Sequence, residues 1–252
     1  MKLDGNTVFI TGGGSGIGRG LAEAFHKRGN RVIIGGRRLA VLDQTVAANP
    51  GMEAIVIDTA NRESIRAASS ELIRRFPSLN VVINNAGVQR SVDFGGDAEV
   101  DEAAMAEEID TNINGVLRVT AAFLPHLKTQ GAAVIVNVSS GLAFVPMARF
   151  PVYCATKAFV HSFSLSLRHQ LKNTGVRIVE VAPPWVATDL GAGHTPAQPH
   201  GGLSPMPLAA FIAAAMEELA SDADELPVAG AKFLYNAGVG SQAAAVFGQI
   251  NR

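Results

Sequence analysis

The chain has 252 residues, 48% of them hydrophobic and only 17% charged, with a mean hydropathy of +0.21; so apolar a chain suits a parallel sheet buried under helices on both faces. Lys and Arg number 21 against 22 Asp and Glu with no long run of either sign, so the electrostatic footprint of a nucleic-acid partner is missing. A single cysteine, Cys154, excludes an internal disulfide, no run approaches the roughly 18 apolar residues of a membrane span, and the scattered histidines offer no metal site.

The amino terminus lacks the extended apolar region and small-residue cleavage site of a secretory signal, so a cytoplasmic protein is expected. Short runs rich in Val and Ile then alternate with amphipathic stretches. Strands are predicted at 8–10, 31–34, 54–57, 80–83, 133–138, 177–181 and 231–234, with helices near 17–28, 38–48, 62–75, 100–127, 152–173 and 207–220. This βαβ repetition predicts one domain over 1–252: a three-layer α/β fold of the Rossmann kind, its doubly wound parallel sheet of about seven strands covered by helices on both faces. In such a sheet a ligand crevice opens at the carboxyl ends of the strands where their order reverses. A Gly-, Pro- and His-rich stretch at about 189–207 is a candidate substrate lid.

Between the first strand and the first helix the chain reads Thr11-Gly12-Gly13-Gly14-Ser15-Gly16-Ile17-Gly18. Glycines permit positive φ and let the backbone approach a pyrophosphate, whose charge the helix amino terminus favours; the strand–turn–helix setting gives the run its meaning. The second strand ends Ile33-Ile34-Gly35-Gly36-Arg37-Arg38. An acid near this point binds a ribose 2′-hydroxyl and an arginine suits a 2′-phosphate. Gly36 stands where the acid is expected and Arg37 follows, so NADP(H) is favoured over NAD(H); the alternative, that Arg37 and Arg38 are solvated residues at a helix start, stays open.

Further along come Asp58, then Asn84-Asn85-Ala86-Gly87, Asn112, Ser139-Ser140 and Tyr153-Cys154-Ala155-Thr156-Lys157. With these the chain resembles the short-chain dehydrogenase/reductase family over about residues 5–235, and a subgroup similar to DltE-like reductases is suggested by residues 10–18 and the Pro183-Pro184 pair. The resemblance implies a nicotinamide-dependent oxidoreductase acting on a ketone, aldehyde or secondary alcohol. It implies that Gly12, Gly16 and Gly18, with Gly14, Ser15 and Ile17, frame the pyrophosphate. Asp58 and Thr59 would meet the adenine, and Asn85, Ala86 and Gly87 would flank the adenosine ribose. Ser140 lies thirteen residues before Tyr153, the family's spacing for its catalytic serine, and Asn112 matches the asparagine that anchors a relay water. Pro183, Val186 and Thr188 would border the nicotinamide, with Thr188 on its carboxamide. The family usually has Pro-Gly where this chain has Pro183-Pro184, so an altered loop is expected there. Leu142, Phe144, Phe150, Trp185 and Leu190, with Ser140, lie in segments that border the substrate in similar proteins. Similar proteins also pair the helices carrying Asn112 and Tyr153 across a dimer interface, which implies a homodimer or homotetramer.

The chemistry is legible without the family. Tyrosine titrates near ~10, so acid–base work near neutrality requires that value to fall. Tyr153 and Lys157, four residues apart in a helical segment, share one face, and the ammonium is expected to favour the phenolate. Ser140 would steady the substrate oxygen as charge develops on it, and the proton would be restored by way of Lys157 and a water held near Asn112. Arg149 is the one candidate partner for a substrate anion, against the alternative of a solvated loop residue; Cys154 reads as a buried filler, His161 and His169 as packing or solvent-face residues, and His194 and His200 as lid residues. A non-catalytic nicotinamide-binding regulator on the same fold is the alternative.

Overall fold

In a computed structural model, which describes residues 1–97, 99–190, 204–238, 246 and 249, the β-branched runs form seven strands among the described residues. They are β1 (Thr7–Thr11), β2 (Arg31–Gly36), β3 (Glu53–Val56), β4 (Leu79–Asn84), β5 (Ala133–Val138), β6 (Val176–Ala182) and β7 (Glu225–Pro227). They pair in the order β3-β2-β1-β4-β5-β6-β7, every neighbouring pair parallel. The order reverses between β1 and β4, and the site lies beyond their carboxyl ends.

The helices are α1 (Gly16–His26), α2 (Leu39–Ala48), α3 (Arg62–Arg75), α4 (Glu102–Ile109), α5 (Gly115–Leu127), α6 (Pro151–Leu171), α7 (Leu208–Ala220) and α8 (Ala231–Gly238). Alternation along each strand divides the interior in two. Val8 and Ile10 of β1 face a core with Leu21 and Phe25 of α1 and Phe211 of α7, whereas Phe9 points the other way into a core with Leu72 of α3, Phe123 of α5 and Leu167 of α6. Both faces of the sheet are therefore covered, which is why its strands read as continuous apolar runs rather than alternating ones. Local chemistry sets the helix starts: the Asn61 side chain accepts from Ser64 N at 2.9 Å ahead of α3, Asp101 does the same for Ala104 N ahead of α4, and Pro151 opens α6.

Two elements differ from expectation. Residues 231–234, read as the last strand, are the start of α8; the seventh strand is Glu225–Pro227. A three-residue strand carries no readable period, and its proline is tolerated because β7 is an edge strand, while a run as short as Ala231-Lys232-Phe233-Leu234 does not distinguish strand from helix. The helix expected over 100–127 is interrupted by a π-helical turn at Asp110–Asn114, a local widening that often accompanies functional sites.

Candidate active site

The cleft beyond β1 and β4 measures about 950 Å³, near the top of the ~300–1,000 Å³ range of small-molecule sites, so a dinucleotide and a small substrate have room together. Gly12 (φ +66°) and Gly16 (φ +52°) occupy left-handed conformations in its glycine loop. Gly12, Gly14, Ser15, Gly16 and Ile17 all border the cleft, and the Ser15 side chain does not cap α1, which leaves first-turn amides for an anionic ligand. Gly18 does not line the cleft. A Cβ there would sit 2.2 Å from the Gly12 carbonyl oxygen and 2.4 Å from Asn85 Nδ2, so this glycine lets α1 start hard against the loop instead of touching a ligand. Gly18→Ala is expected to cost about 1–3 kcal/mol of stability, a fall of roughly 2–4 °C in Tm per kcal/mol in a thermal melt; an unchanged Tm would contradict so close an approach.

The remaining residues named for the cradle border the same cleft. Asn85 donates through Nδ2 to the Thr11 carbonyl at 3.0 Å, and the amides of Asn85 and Ala86 both donate to Thr11 Oγ1, tying the β4 end to the glycine loop. Gly87, Asp58 and Thr59 border the cleft beside them; one Asp58 oxygen takes the Ala60 amide at 3.0 Å. Arg37 and Arg38 line the rim. Arg37 Nη1 lies 3.2 Å from Glu107 Oε1, and Glu107 also pairs with Arg90; the Arg37 side chain is 53% exposed, so it is a solvated residue in a surface ion pair. At Gly36 the nearest atom to a Cβ would be Leu42 Cδ2 at 3.4 Å, an ordinary contact, so the backbone leaves space for a side chain to begin there.

Tyr153, Lys157 and Ser140 meet on the cleft wall. The Tyr153 hydroxyl is hydrogen-bonded to Ser140, whose Oγ also accepts from Leu142 N at 3.1 Å. Lys157 Nζ donates to the Val138 carbonyl at 2.9 Å and lies 5.6 Å from the Tyr153 ring centre. Burial pushes the Tyr153 phenol above its ordinary value, the Ser140 hydrogen bond opposing, and lowers Lys157 to about 8, with Glu108 and Glu180 pulling it back up. The lowering of the tyrosine expected from its lysine does not appear: desolvation is the largest influence on the phenol, and Lys157 is not among the others.

Asn112 is buried behind the cleft. Its Oδ1 accepts from Val88 N at 2.9 Å, and its Nδ2 donates to Val88 O at 2.8 Å and to Thr156 Oγ1 at 3.1 Å. Both amide protons are therefore spent clamping the loop after β4 to α6. Sequence reasoning missed Glu108, one turn earlier, which is wholly buried; desolvation raises it to about 7, opposed by the Arg90 backbone N–H and the charges of Arg90 and Lys157.

On the substrate side, Leu142, Phe150, Trp185 and Leu190 border the cleft with Pro183, Val186 and Thr188, and Arg149 joins them. Thr188 packs against the glycine loop, 3.4 Å from where a Gly16 Cβ would lie. Phe144 corrects an expectation: it does not line the cleft but is clamped edge-on between His161 and Tyr235 at 4.8 and 4.9 Å. The wall is completed by Met147, Met206, Phe233 and Leu234; reading 231–234 as a strand concealed the last two. Residues 191–203 of the candidate lid, with His194 and His200, lie outside the described residues. Its stems are stitched together, Ala187 N to Met206 O at 2.9 Å and Met206 N to Trp185 O at 2.8 Å. Cys154 is buried, and desolvation pushes its thiol up to about 11, as suits a filler. Among the described residues no His, Cys, Asp and Glu cluster could hold a metal, and no helix is long and apolar enough to cross a membrane.

A parallel sheet of this order, a glycine cradle at its switch point and a buried Tyr–Lys–Ser group define an oxidoreductase fold suited to a nicotinamide dinucleotide. The family model for short chain dehydrogenases matches residues 6–199, and the chain belongs to that family. It is 46% identical over 190 residues, 75% of each chain, to the uncharacterized oxidoreductase DltE of Bacillus subtilis (strain 168). It is 37% identical over 186 residues, 72% of this chain and 73% of the other, to sulfoacetaldehyde reductase 2 of Chromohalobacter salexigens. Among solved structures, a short chain dehydrogenase from Burkholderia cenocepacia J2315 in complex with NADP superposes over 100% of both chains, with a TM-score of 0.85 and 27% identity.

Proposed function

We propose that this protein is an NADP(H)-preferring carbonyl reductase or secondary-alcohol dehydrogenase with Tyr153 as its general acid and base. The observation that carries this reading is the Tyr153 hydroxyl, hydrogen-bonded to Ser140 on the wall of the cleft that the glycine loop also borders. A bound nicotinamide supplies or accepts the hydride at the substrate carbon. Ser140 holds the carbonyl oxygen, Tyr153 gives it a proton in reduction and takes one in oxidation, and Lys157 holds positive charge beside the reacting atoms. The apolar wall of Leu142, Phe150, Trp185 and Phe233 favours a ketone or aldehyde with an apolar substituent, and Arg149 leaves room for an anionic one. The test is a spectrophotometric panel of ketones and aldehydes, sulfoacetaldehyde included, with NADPH and with NADH, run beside Tyr153→Phe. Turnover that the Phe variant keeps in full would remove the mechanism.

The coenzyme preference rests on Arg37 and on Gly36 in place of an acid. Arg37→Ala is expected to raise KM for NADPH about tenfold or more, the equivalent of a charge-assisted hydrogen bond of ~1.5–3 kcal/mol, and to leave KM for NADH within about twofold. Equal effects on the two coenzymes would overturn the preference. We further propose a cytoplasmic homodimer or homotetramer, consistent with half-exposed Leu165 and the stacked Phe159 and Phe163 on α6; light scattering reads the state directly.

A further inference from the structure

Behind the cleft lies a charged group that the proposed chemistry does not use. Glu180 of β6 is 1% exposed, and a carboxylate so deep is costly unless its oxygens are answered. Its Oε1 accepts from Ser139 Oγ, and its Oε2 lies 2.8 Å from His161 Nδ1. Ser139 immediately precedes Ser140. Its amide donates to the Val181 carbonyl at 2.9 Å, and the Gly141 amide donates to the Pro183 carbonyl at 2.8 Å, so the carboxyl end of β5 is gripped on both sides of the catalytic serine. His161 stands one turn beyond Lys157 on α6, and its ring meets Phe144 edge-on, 4.8 Å between centres, in the segment that leads away from Ser140.

Charge accounting around the pair points the same way. His161 sees Glu225 of β7 and Arg168 of α6 as well as Glu180, Lys157 of α6 sees Glu180, and the Tyr235 phenol of α8 sees both acids. Glu225 is already matched by Arg168 Nη1 at 3.2 Å and by the Tyr235 hydroxyl at 3.0 Å. Lys157 spends a proton on the Val138 carbonyl. Lys157 still acts on Glu180 at longer range, but among the described residues the titratable hydrogen-bond partner of Glu180 is His161.

We propose that Ser139, Glu180 and His161 form a charged buckle behind the active site, in which the His161 imidazolium answers Glu180 and makes His161 a positioning residue for Ser140. The hydrogen bond to Glu180 raises the imidazole above its ordinary value, with burial opposing, so the buckle is fully charged below the usual imidazole range and loses its charge as pH rises through the raised value.

The inference rests on the Tyr153 reading and is tested with NADPH and the ketone or aldehyde of the panel that the wild type reduces fastest, together with an NMR titration of His161. In the wild type, kcat is expected to decline at alkaline pH along the His161 titration. His161→Phe keeps a ring against Phe144 and leaves Glu180 unanswered; it is expected to lower kcat at least tenfold with KM for NADPH within twofold. Adding Glu180→Gln to His161→Phe removes the stranded charge and should restore kcat at least fivefold, a rescue that a merely structural histidine would not show. Glu180→Gln alone is expected to return the His161 titration toward its ordinary value and to abolish the alkaline decline that follows it. Wild-type kcat in His161→Phe, no rescue in the double variant, or a His161 titration indifferent to Glu180→Gln would each overturn the buckle; should His161→Phe fail to fold, the titration and pH profile of Glu180→Gln decide alone. If Tyr153→Phe is inactive while these variants behave as wild type, only the buckle falls; if Tyr153→Phe keeps turnover, the underlying reading falls first.

Discussion

Tyr153→Phe is expected to lower kcat for carbonyl reduction by about 10²- to 10⁴-fold, the usual worth of a positioned general acid, while leaving KM for NADPH within a few-fold and the fold intact. The substitution removes one oxygen. Its partner Ser140 keeps the Leu142 amide at 3.1 Å, so Ser140 is not orphaned by the change. The direction of the tyrosine's shift adds a second expectation. Desolvation holds the phenol above its ordinary value, so the chain by itself keeps Tyr153 protonated across neutral pH, loaded as reduction requires. Alcohol oxidation needs the phenolate, which is scarce until the pH is raised or positive charge arrives. Oxidation should therefore peak at a distinctly more alkaline pH than reduction, and initial rates in both directions from pH 6 to pH 10 would show it. Coincident optima would mean that the phenol's proton does not limit either direction.

The parts of the site that are local in sequence were legible from sequence. The glycine loop announces itself because β1, a positive-φ turn and α1 are contiguous, and Tyr153 and Lys157 because four residues on a helix make one face. The parts assembled from distant segments were not. Phe144 looked like a substrate contact by position along the chain, yet Tyr235 of α8 and His161 of α6 close on its ring. Phe233 was hidden in a short run, Ala231 to Leu234, that forms a helix packed against the turn after β5, where a Cβ on Gly141 would come 3.0 Å from Leu234 Cδ1. Gly18 was legible as essential but not as to why, since only the fold shows the Gly12 carbonyl 2.2 Å from its missing Cβ. Glu108 and Glu180 had no signal at all. An acid within an amphipathic helix or a strand reads as solvent-facing, and nothing in periodicity reveals that its carboxylate is enclosed beside a buried lysine. Asn112 was found by its place in the motif order, but its clamp on Val88 and Thr156 was not, because no spacing rule brings those residues together.

Lys157→Met is the second substitution with a large expected effect, about 10²-fold or more on kcat, and its signature differs from that of Tyr153→Phe. Met matches the length of the side chain and removes the charge and the donor to Val138 O. Because burial lowers Lys157 to about 8, the free enzyme loses its ammonium as pH rises through that value. Wild-type kcat/KM for reduction should accordingly bend downward near pH 8, since this ratio reports the free enzyme, and the bend should be absent in Lys157→Met. Stability runs the opposite way. Between about 8 and the ~10.4 of an unfolded lysine the unfolded chain binds more protons at this site than the folded one, so this group makes unfolding free energy rise with pH across that window. In the Met variant the rise should vanish, and Tm at pH 7 should hold or increase because a buried ammonium no longer has to be desolvated. A large loss of kcat without a loss of Tm would mark a side chain kept for chemistry at the expense of stability. A variant whose kcat/KM still bends near pH 8 would hand that titration to a group other than Lys157, such as Glu108, which burial raises to about 7.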